Sequence, residues 1–368
     1  MMLRQPGCRD NKHKWRGLAP CPATGDEILT QPLAPVEPVS GLTDNHGRMV
    51  NYVRLAVTDR CNLNCRYCRP KGPCNEPRRE LLSYEELERI CRLLVAMGIS
   101  KVRVTGGEPL VRHGMLGFLR QLRDIKGLQQ LALTTNATLL APHLSELRQL
   151  RLSGLNISLD TLQPERFAAI TGQDLFARVF AVIEAAVAAG MPVKINAVVQ
   201  EGINTDELLE LARLAEKRPI QVRFIEPMPF DGGSSFVAGN WNLARLEQYF
   251  RNNLPALTET PLAGSTARVF QVAGFKGSIG LIGGYSRCFC ATCNKIRITP
   301  QGILKTCLYD DGVLDLRETL RAGADDGELT ELIRSCLGRR QIDGFAAAEK
   351  RKKGHLPGSC ASMATIGG

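Results

Sequence analysis

No apolar run opens this sequence, and none within it is long enough to cross a bilayer. The most apolar stretch with helical spacing, Val179–Ala189, falls short of the roughly 20 residues a span needs and carries Glu184. It reads as a helix with one buried face, and no membrane insertion follows. Thirteen cysteines in a small secreted chain would announce disulfides, but over 368 residues with no N-terminal hydrophobic leader they read as reduced thiols in the cytoplasm. Acidic charge is also in short supply. The 47 Lys and Arg against 37 Asp and Glu leave a net +10, which favours an anionic partner, either a nucleoside triphosphate or nucleic acid. The basic run Glu349–Lys353 reads as a solvated tail segment rather than a nucleic-acid patch. No side chain stands out as a general base, so the hard chemistry is left to cofactors.

Residues 1–38 are rich in proline and poor in hydrophobic periodicity, and read as a flexible extension. Their Arg and Lys residues suit an organellar leader, but scarce serine and the absence of apolar helical spacing argue against one. Beyond them, strand-like runs alternate with amphipathic helical stretches, the pattern of a parallel sheet with crossover helices. The expected strands are Tyr52–Val57, Val102–Thr105, Gln130–Thr134, Leu155–Leu159, Val193–Val199 and Ile220–Ile225. Helices are expected after the capping box Ser83-x-x-Glu86, with Gly98 as the stop, and over Met115–Ile125, Leu175–Ala189 and Asp206–Ala215. This α/β alternation predicts an incomplete (β/α)6 barrel over 39–242. An accessory region over 243–345, built from short strands around a cysteine loop, would cover its open side, and a tail over 346–368 would end in Gly367-Gly368.

Polar and glycine-rich strand ends should converge on one mouth of such a barrel. The most telling of them is T-D-R-C-N-L-N-C-R-Y-C, which sets Cys61, Cys65 and Cys68 at C-x3-C-x2-C spacing. Three thiolates are one short of closing a four-iron cluster, and they leave one iron open for chemistry. A tetrahedral zinc site would need a fourth ligand from elsewhere. A second set, Cys290, Cys293 and Cys307, again offers a pair and one distant thiolate, enough for a second cluster with an open iron. Cys288, two residues before that pair, is in principle a fourth ligand and is read as a free thiol.

The first cysteine motif, with Tyr67 before its last thiol, resembles the radical S-adenosylmethionine (SAM) superfamily. Together with the second set, the run N-K-I-R-I-T and the terminus S-M-A-T-I-G-G, it resembles the GTP 3′,8-cyclase or molybdenum cofactor biosynthesis protein A family, from about Val39 to Gly368. The resemblance implies a radical SAM barrel, two [4Fe-4S] clusters, SAM as cofactor and GTP as substrate. It implies a lyase that abstracts the 3′ hydrogen of GTP and joins that carbon to C8 of guanine. It further implies an external electron donor and a cyclic pyranopterin monophosphate synthase as the next enzyme. Nucleic acid and membrane partners are not expected, and a homodimer is left open.

By motif position the resemblance places SAM against Tyr67, Gly107, Ser158 and Met228. Gly106-Gly107 in T-G-G-E-P lets backbone approach a ligand, and Met228 would otherwise read as core packing. For GTP, Arg54, Arg103 and Lys194 are cations within strands of a parallel sheet, expensive unless paired or facing an anion. They coincide with the family's phosphate positions. Thr134, Lys295, Ile296 and Arg297 follow from the resemblance, with lysine at 295 where the family usually has arginine; that exchange keeps the charge and loses the planar fork. A peptide-modifying enzyme with two clusters and a zinc-bearing nucleic-acid binder are the alternative readings.

Overall fold

Polar and apolar residues alternate along the first six strands, and that alternation decides the architecture. The computed structural model describes residues 41–69, 80–228, 240–262, 264–354 and 363–366; the 1–38 extension and the Gly367-Gly368 end lie outside them. The barrel half runs β1 (Tyr52–Ala56), α1 (Tyr84–Ala96), β2 (Lys101–Thr105), α2 (Met115–Arg123), β3 (Gln130–Thr135), α3 (Leu144–Gln149), β4 (Gly154–Ser158), α4 (Pro164–Thr171), α5 (Phe176–Ala188), β5 (Val193–Val198), α6 (Leu208–Lys217) and β6 (Gln221–Ile225). The six expected strands are all present, parallel and in sequence order.

The odd-even pattern explains both faces of the sheet. Val53, Leu55, Val102, Val104, Leu131, Leu133, Ile157, Ile195, Val222 and Phe224 are fully buried in the core beneath the helices. Their neighbours Arg54, Arg103, Thr134, Asn156, Lys194, Asn196 and Arg223 point the other way and line an internal cavity. A barrel of this size is normally filled by apolar layers; here the interior face is polar.

Helix starts follow their caps. Ser83 Oγ accepts from Glu86 N at 3.2 Å while Glu86 Oε2 accepts from Ser83 N at 2.7 Å, a complete capping box at α1. The chain leaves α1 through Gly98 at φ +107°, a conformation L side chains rarely adopt. The expected helix from Asp206 starts two residues later, at Leu208. Asp206 and Glu207 are occupied elsewhere: Asp206 pairs with Arg166 at 2.9 Å and Glu207 accepts from Leu162 N at 2.6 Å. Among the described residues no helix is long and apolar enough to cross a membrane.

The C-terminal half consists of α7 (Leu243–Asn253), β7 (Leu257–Glu259), β8 (Arg268–Val272), β9 (Ser278–Ile282), β10 (Lys295–Ile298), β11 (Ile303–Lys305), β12 (Leu314–Asp315), α8 (Leu316–Arg321), α9 (Asp326–Leu337), α10 (Gly344–Gly354) and the single turn α11 (Met363–Ile366), with a short 3-10 turn between β9 and β10. Its strands are not a separate layer. They extend the same sheet at both edges, giving the twelve-strand order β12-β11-β10-β1-β2-β3-β4-β5-β6-β9-β8-β7. β9 is parallel to β6 and β10 is parallel to β1, so the segment 283–294 between them runs from one edge of the barrel to the other. That segment carries Cys290 and Cys293.

Candidate active site

The strand ends and the segment 283–294 enclose one cavity of about 520 Å³, and both cysteine triplets face it. Cys61, Cys65 and Cys68 lie beyond the C-terminal end of β1, in a loop locked to the T-G-G-E-P loop beyond β2. Gly107 N donates to Thr58 O at 2.7 Å and Glu108 N to Arg60 O at 2.8 Å. A Cβ on Gly106 would stand 2.5 Å from Thr58 O, and one on Gly107 2.2 Å from Arg60 O. The two glycines are therefore needed first for loop-to-loop packing, a requirement the reading of close ligand approach did not include.

Two buried carboxylates brace this end. Glu108, with no exposed surface, accepts from Leu110 N at 3.0 Å, Thr135 Oγ1 at 2.9 Å and Asn136 N at 2.7 Å. Burial outweighs these donors and pushes its carboxyl up to about 7. Asp160 accepts from Tyr67 Oη at 2.9 Å and Val198 N at 2.8 Å, and burial raises it to about 6. The Tyr67 hydroxyl is thus already engaged, leaving its ring and main chain for a ligand. Cys61 Sγ receives Leu63 N at 3.4 Å and the Asn136 amide at 3.6 Å.

Deeper in the barrel the cavity becomes cationic. The register sets Arg297, Arg54 and Arg103 side by side across β10, β1 and β2, with Lys295, Tyr52 and Lys101 in the neighbouring row. Like charges directly opposite one another destabilise a sheet. On β5 and β6, Lys194 stands beside Gln221, and Asn196 beside Arg223. Gly280 opposite Arg223 leaves room for it, since a Cβ there would be 2.7 Å from Arg223 Cγ. Arg103 donates to Tyr52 Oη at 2.6 Å and to Thr134 Oγ1 at 3.4 Å. Burial favours the neutral Tyr52 phenol, yet Arg103, Arg54 and Lys101 together pull it down to about 7.

Burial, then Arg223, Arg103 and Lys101, depress Lys194 to about 8. Burial likewise pushes Arg54 and Arg223 below the ordinary guanidinium value, with Arg297 and Arg103 adding to it at Arg54, and Arg103 at Arg223. A guanidinium keeps its proton regardless, so crowded cations of this kind favour an anion in the cavity. Arg223 Nε and Nη2 have no hydrogen-bond partner among the described residues.

Cys290, Cys293 and Cys307 form the facing wall. Gly344 N donates to Cys290 Sγ at 3.4 Å, Arg340 Nη2 to Cys293 Sγ at 3.2 Å, and the Thr306 and Cys307 amides to Asp310 Oδ2 at 2.8 Å each. Burial raises the thiols of Cys61, Cys65, Cys290 and Cys307, the last to about 11, whereas at Cys293 the cations Arg340 and Lys295 overcome burial and lower it. Thiols so placed become thiolates only against a positive centre. Among the described residues no three His, Cys, Asp or Glu side chains close on one point as a single ion requires. A larger centre that gives each thiolate its own iron suits the triplets. Cys288 is exposed and does not line the cavity.

Ser158, Met228, Gly107, Tyr67, Thr134, Lys295 and Arg297 reach the same cavity, as expected from the sequence. Ile296 does not: strand alternation turns its side chain into the core, fully buried. Lys295 Nζ is held by Asn294 Oδ1 at 2.8 Å and lies 5.2 Å from the Tyr52 ring centre. Lys101, Arg223, Asn156 and Asn196 were missed, although the period-two pattern that singles out Arg54 and Arg103 covers them too. Arg340 carries no such signal, because it reaches the cysteine loop from 47 residues away.

Comparison with known proteins settles the lineage. Residues 55–215 match the Radical SAM superfamily model, and residues 220–345 match the Molybdenum Cofactor Synthesis C model. GTP 3′,8-cyclase of Geobacter sulfurreducens is 42% identical over 334 residues, 89% of this chain and 99% of its own length. That of Heliobacterium modesticaldum is 42% identical over 80% of this chain and 92% of its own. The chain belongs to the GTP 3′,8-cyclase family. Molybdenum cofactor biosynthesis protein 1 of Bos taurus is also 42% identical, over 82% of this chain, but the chain spans about half that relative's length, 48%. Among solved structures, Streptococcus suis SuiB bound to S-adenosylmethionine superposes with a TM-score of 0.54 at 18% identity, covering 79% of this chain and 69% of that one, which shows the shared fold.

Proposed function

We propose that this GTP 3′,8-cyclase family member is a radical SAM lyase that converts GTP to (8S)-3′,8-cyclo-7,8-dihydroguanosine 5′-triphosphate, the first step of molybdenum cofactor biosynthesis. One observation carries the reading: a single cavity presents two cysteine triplets with rows of arginine and lysine between them. Cys61, Cys65 and Cys68 would hold the SAM-binding [4Fe-4S] cluster, and Cys290, Cys293 and Cys307 a second one facing the substrate. A reduced cluster held by Cys61, Cys65 and Cys68 would supply the electron for reductive cleavage of SAM, the source of the oxidising power that the 3′ position of GTP requires.

The chain's own residues bind, orient and exclude water. Gly107 and the main chain at Tyr67 shape the SAM end, Ser158 offers a hydroxyl to its sugar, and Met228 packs against the adenosyl group. Arg54, Arg103, Lys194 and Arg297, joined by Lys101 and Arg223, clamp the triphosphate. Each charge-assisted hydrogen bond there is worth about 1.5–3 kcal/mol. Thr134 orients Arg103, and Lys295 adds a point charge near the second triplet. A peptide substrate would leave the cation rows without a purpose.

The reading also calls for a one-electron donor, hand-over of the product to a cyclic pyranopterin monophosphate synthase, and residence in the cytoplasm. Anaerobic reconstitution with iron and sulfide, followed by measurement of 5′-deoxyadenosine with and without GTP, tests it. GTP-dependent formation of 5′-deoxyadenosine together with the cyclised nucleotide is expected; deoxyadenosine formation indifferent to GTP would refute it.

A further inference from the structure

Arg340 follows α9 and is 4% exposed. Besides its 3.2 Å bond to Cys293 Sγ, its guanidinium donates to Lys295 O at 3.0 Å, Cys293 O at 3.1 Å and Asp44 Oδ2 at 3.1 Å. Asp44 is itself held by His46 N at 2.9 Å, Arg48 N at 3.0 Å and Arg48 Nε at 2.6 Å. Arg48 reaches on to Cys290 O at 3.0 Å, and His46 Nε2 lies 2.9 Å from Arg340 O. A turn from the beginning of the described chain thus braces, through one buried arginine, a cysteine loop near its end. Sulfur is a weak acceptor as a thiol and a strong one as a thiolate, so a fixed guanidinium pointed at Cys293 suits a ligand that carries negative charge.

We propose that Arg340 sets the redox poise of the second cluster. This rests on the functional reading above and goes beyond cluster holding. One-electron reduction adds negative charge to the cluster while no bond forms or breaks. A donor and positive charge on one thiolate stabilise that reduced form and raise the midpoint potential. Asp44 and Arg48 keep the guanidinium aimed, which makes Arg340 a positioning residue with an electrostatic task.

The test is a dithionite titration followed by electron paramagnetic resonance, on the anaerobically reconstituted full chain. In Arg340→Met the second cluster's midpoint falls by about 59 mV, a tenfold loss in its reduction equilibrium, while the first cluster's midpoint stays put and iron content is kept. Arg340→Lys, which retains charge without the fork, recovers part of the shift. Arg340→Lys also decides the matter should Arg340→Met shed its cluster, its midpoint then lying below that of the unaltered protein. An unmoved midpoint in Arg340→Met with full iron, or in Arg340→Lys where Arg340→Met has shed it, overturns the inference. An unaltered chain that takes up iron for one cluster only refutes the functional reading instead, and this inference falls with it.

Discussion

Around Cys61, Cys65 and Cys68 the buried carboxylates Glu108 and Asp160 accept from main-chain amides and hydroxyls, and the glycine loop is sewn to the cysteine loop. A few strand residues deeper the walls crowd like charges together. Arg297, Arg54 and Arg103 stand in one row, and among the described residues Arg223 Nε and Nη2 have no hydrogen-bond partner. The first end is assembled by the chain for itself; the second is left electrostatically incomplete. The difference teaches where binding energy enters. A pre-satisfied end holds its geometry whether or not ligand is present, whereas the cationic interior gains stability only when an anion fills it.

Removing the self-sufficient end should have the largest effect. Alanine at Cys61, Cys65 and Cys68 together is expected to halve bound iron and abolish 5′-deoxyadenosine formation, by iron assay and chromatography. Persistent deoxyadenosine would break the comparison at its root. Next comes the incomplete end. Arg223→Ala should weaken GTP binding about tenfold or more, from the roughly 1.5–3 kcal/mol of a charged hydrogen bond, with SAM affinity nearly unchanged by equilibrium dialysis. Because it also relieves repulsion, the same variant should melt at a higher temperature than the unaltered protein when GTP is absent and at a lower one when GTP is saturating.

A pH dependence sharpens the contrast. Lys194, facing Arg223, Arg103, Lys101 and Tyr52, sits near 8 in the free protein, and bound phosphate would raise it toward its ordinary value. Above pH 8 the free form has lost a proton that the GTP complex keeps. Binding therefore takes up a proton, and affinity should fall by about tenfold between pH 7 and 9. Without GTP the sign reverses: the unfolded chain binds the extra proton over that window, so this group makes the folded state more stable as pH rises. Calorimetry in buffers of different ionisation enthalpy reads the proton directly, and Lys194→Met should diminish it, with Tyr52, held near 7 by the same cations, accounting for the remainder. The smallest effect belongs to Cys288→Ala. Its exposed thiol stands off the cavity, so iron content and turnover should stay within error.

Strands and cysteine spacing were legible because both are local patterns. Strand-like runs between helical stretches located β1 to β6 to within a residue, and the cations Arg54, Arg103 and Lys194 inside those runs pointed to an anion-facing side. Arg223 and Lys101 obey the same rule as Arg54 and Arg103; they were passed over although the pattern contained them. Ile296 shows the converse, since its neighbours Lys295 and Arg297 face the cavity and the pleat turns it away. Other features depend on distant pairings. Nothing near Arg340 announces Asp44 or Cys293, and nothing in the C-terminal strands tells that they would join both edges of one sheet rather than form a layer of their own.

That edge-joining bears on how the protein is made. β1 is made before every other strand of its sheet, yet its outer partner β10 lies some 240 residues later in the chain, with Tyr52 opposite Lys295. Throughout translation of the intervening segment, β1 offers an open row of amides and carbonyls, the template on which foreign strands add. Chains interrupted before residue 295 should for this reason accumulate as aggregates rather than as soluble half-barrels. The placement of the last parallel strand thus sets how long the nascent sheet stays open to a chaperone or to a second chain.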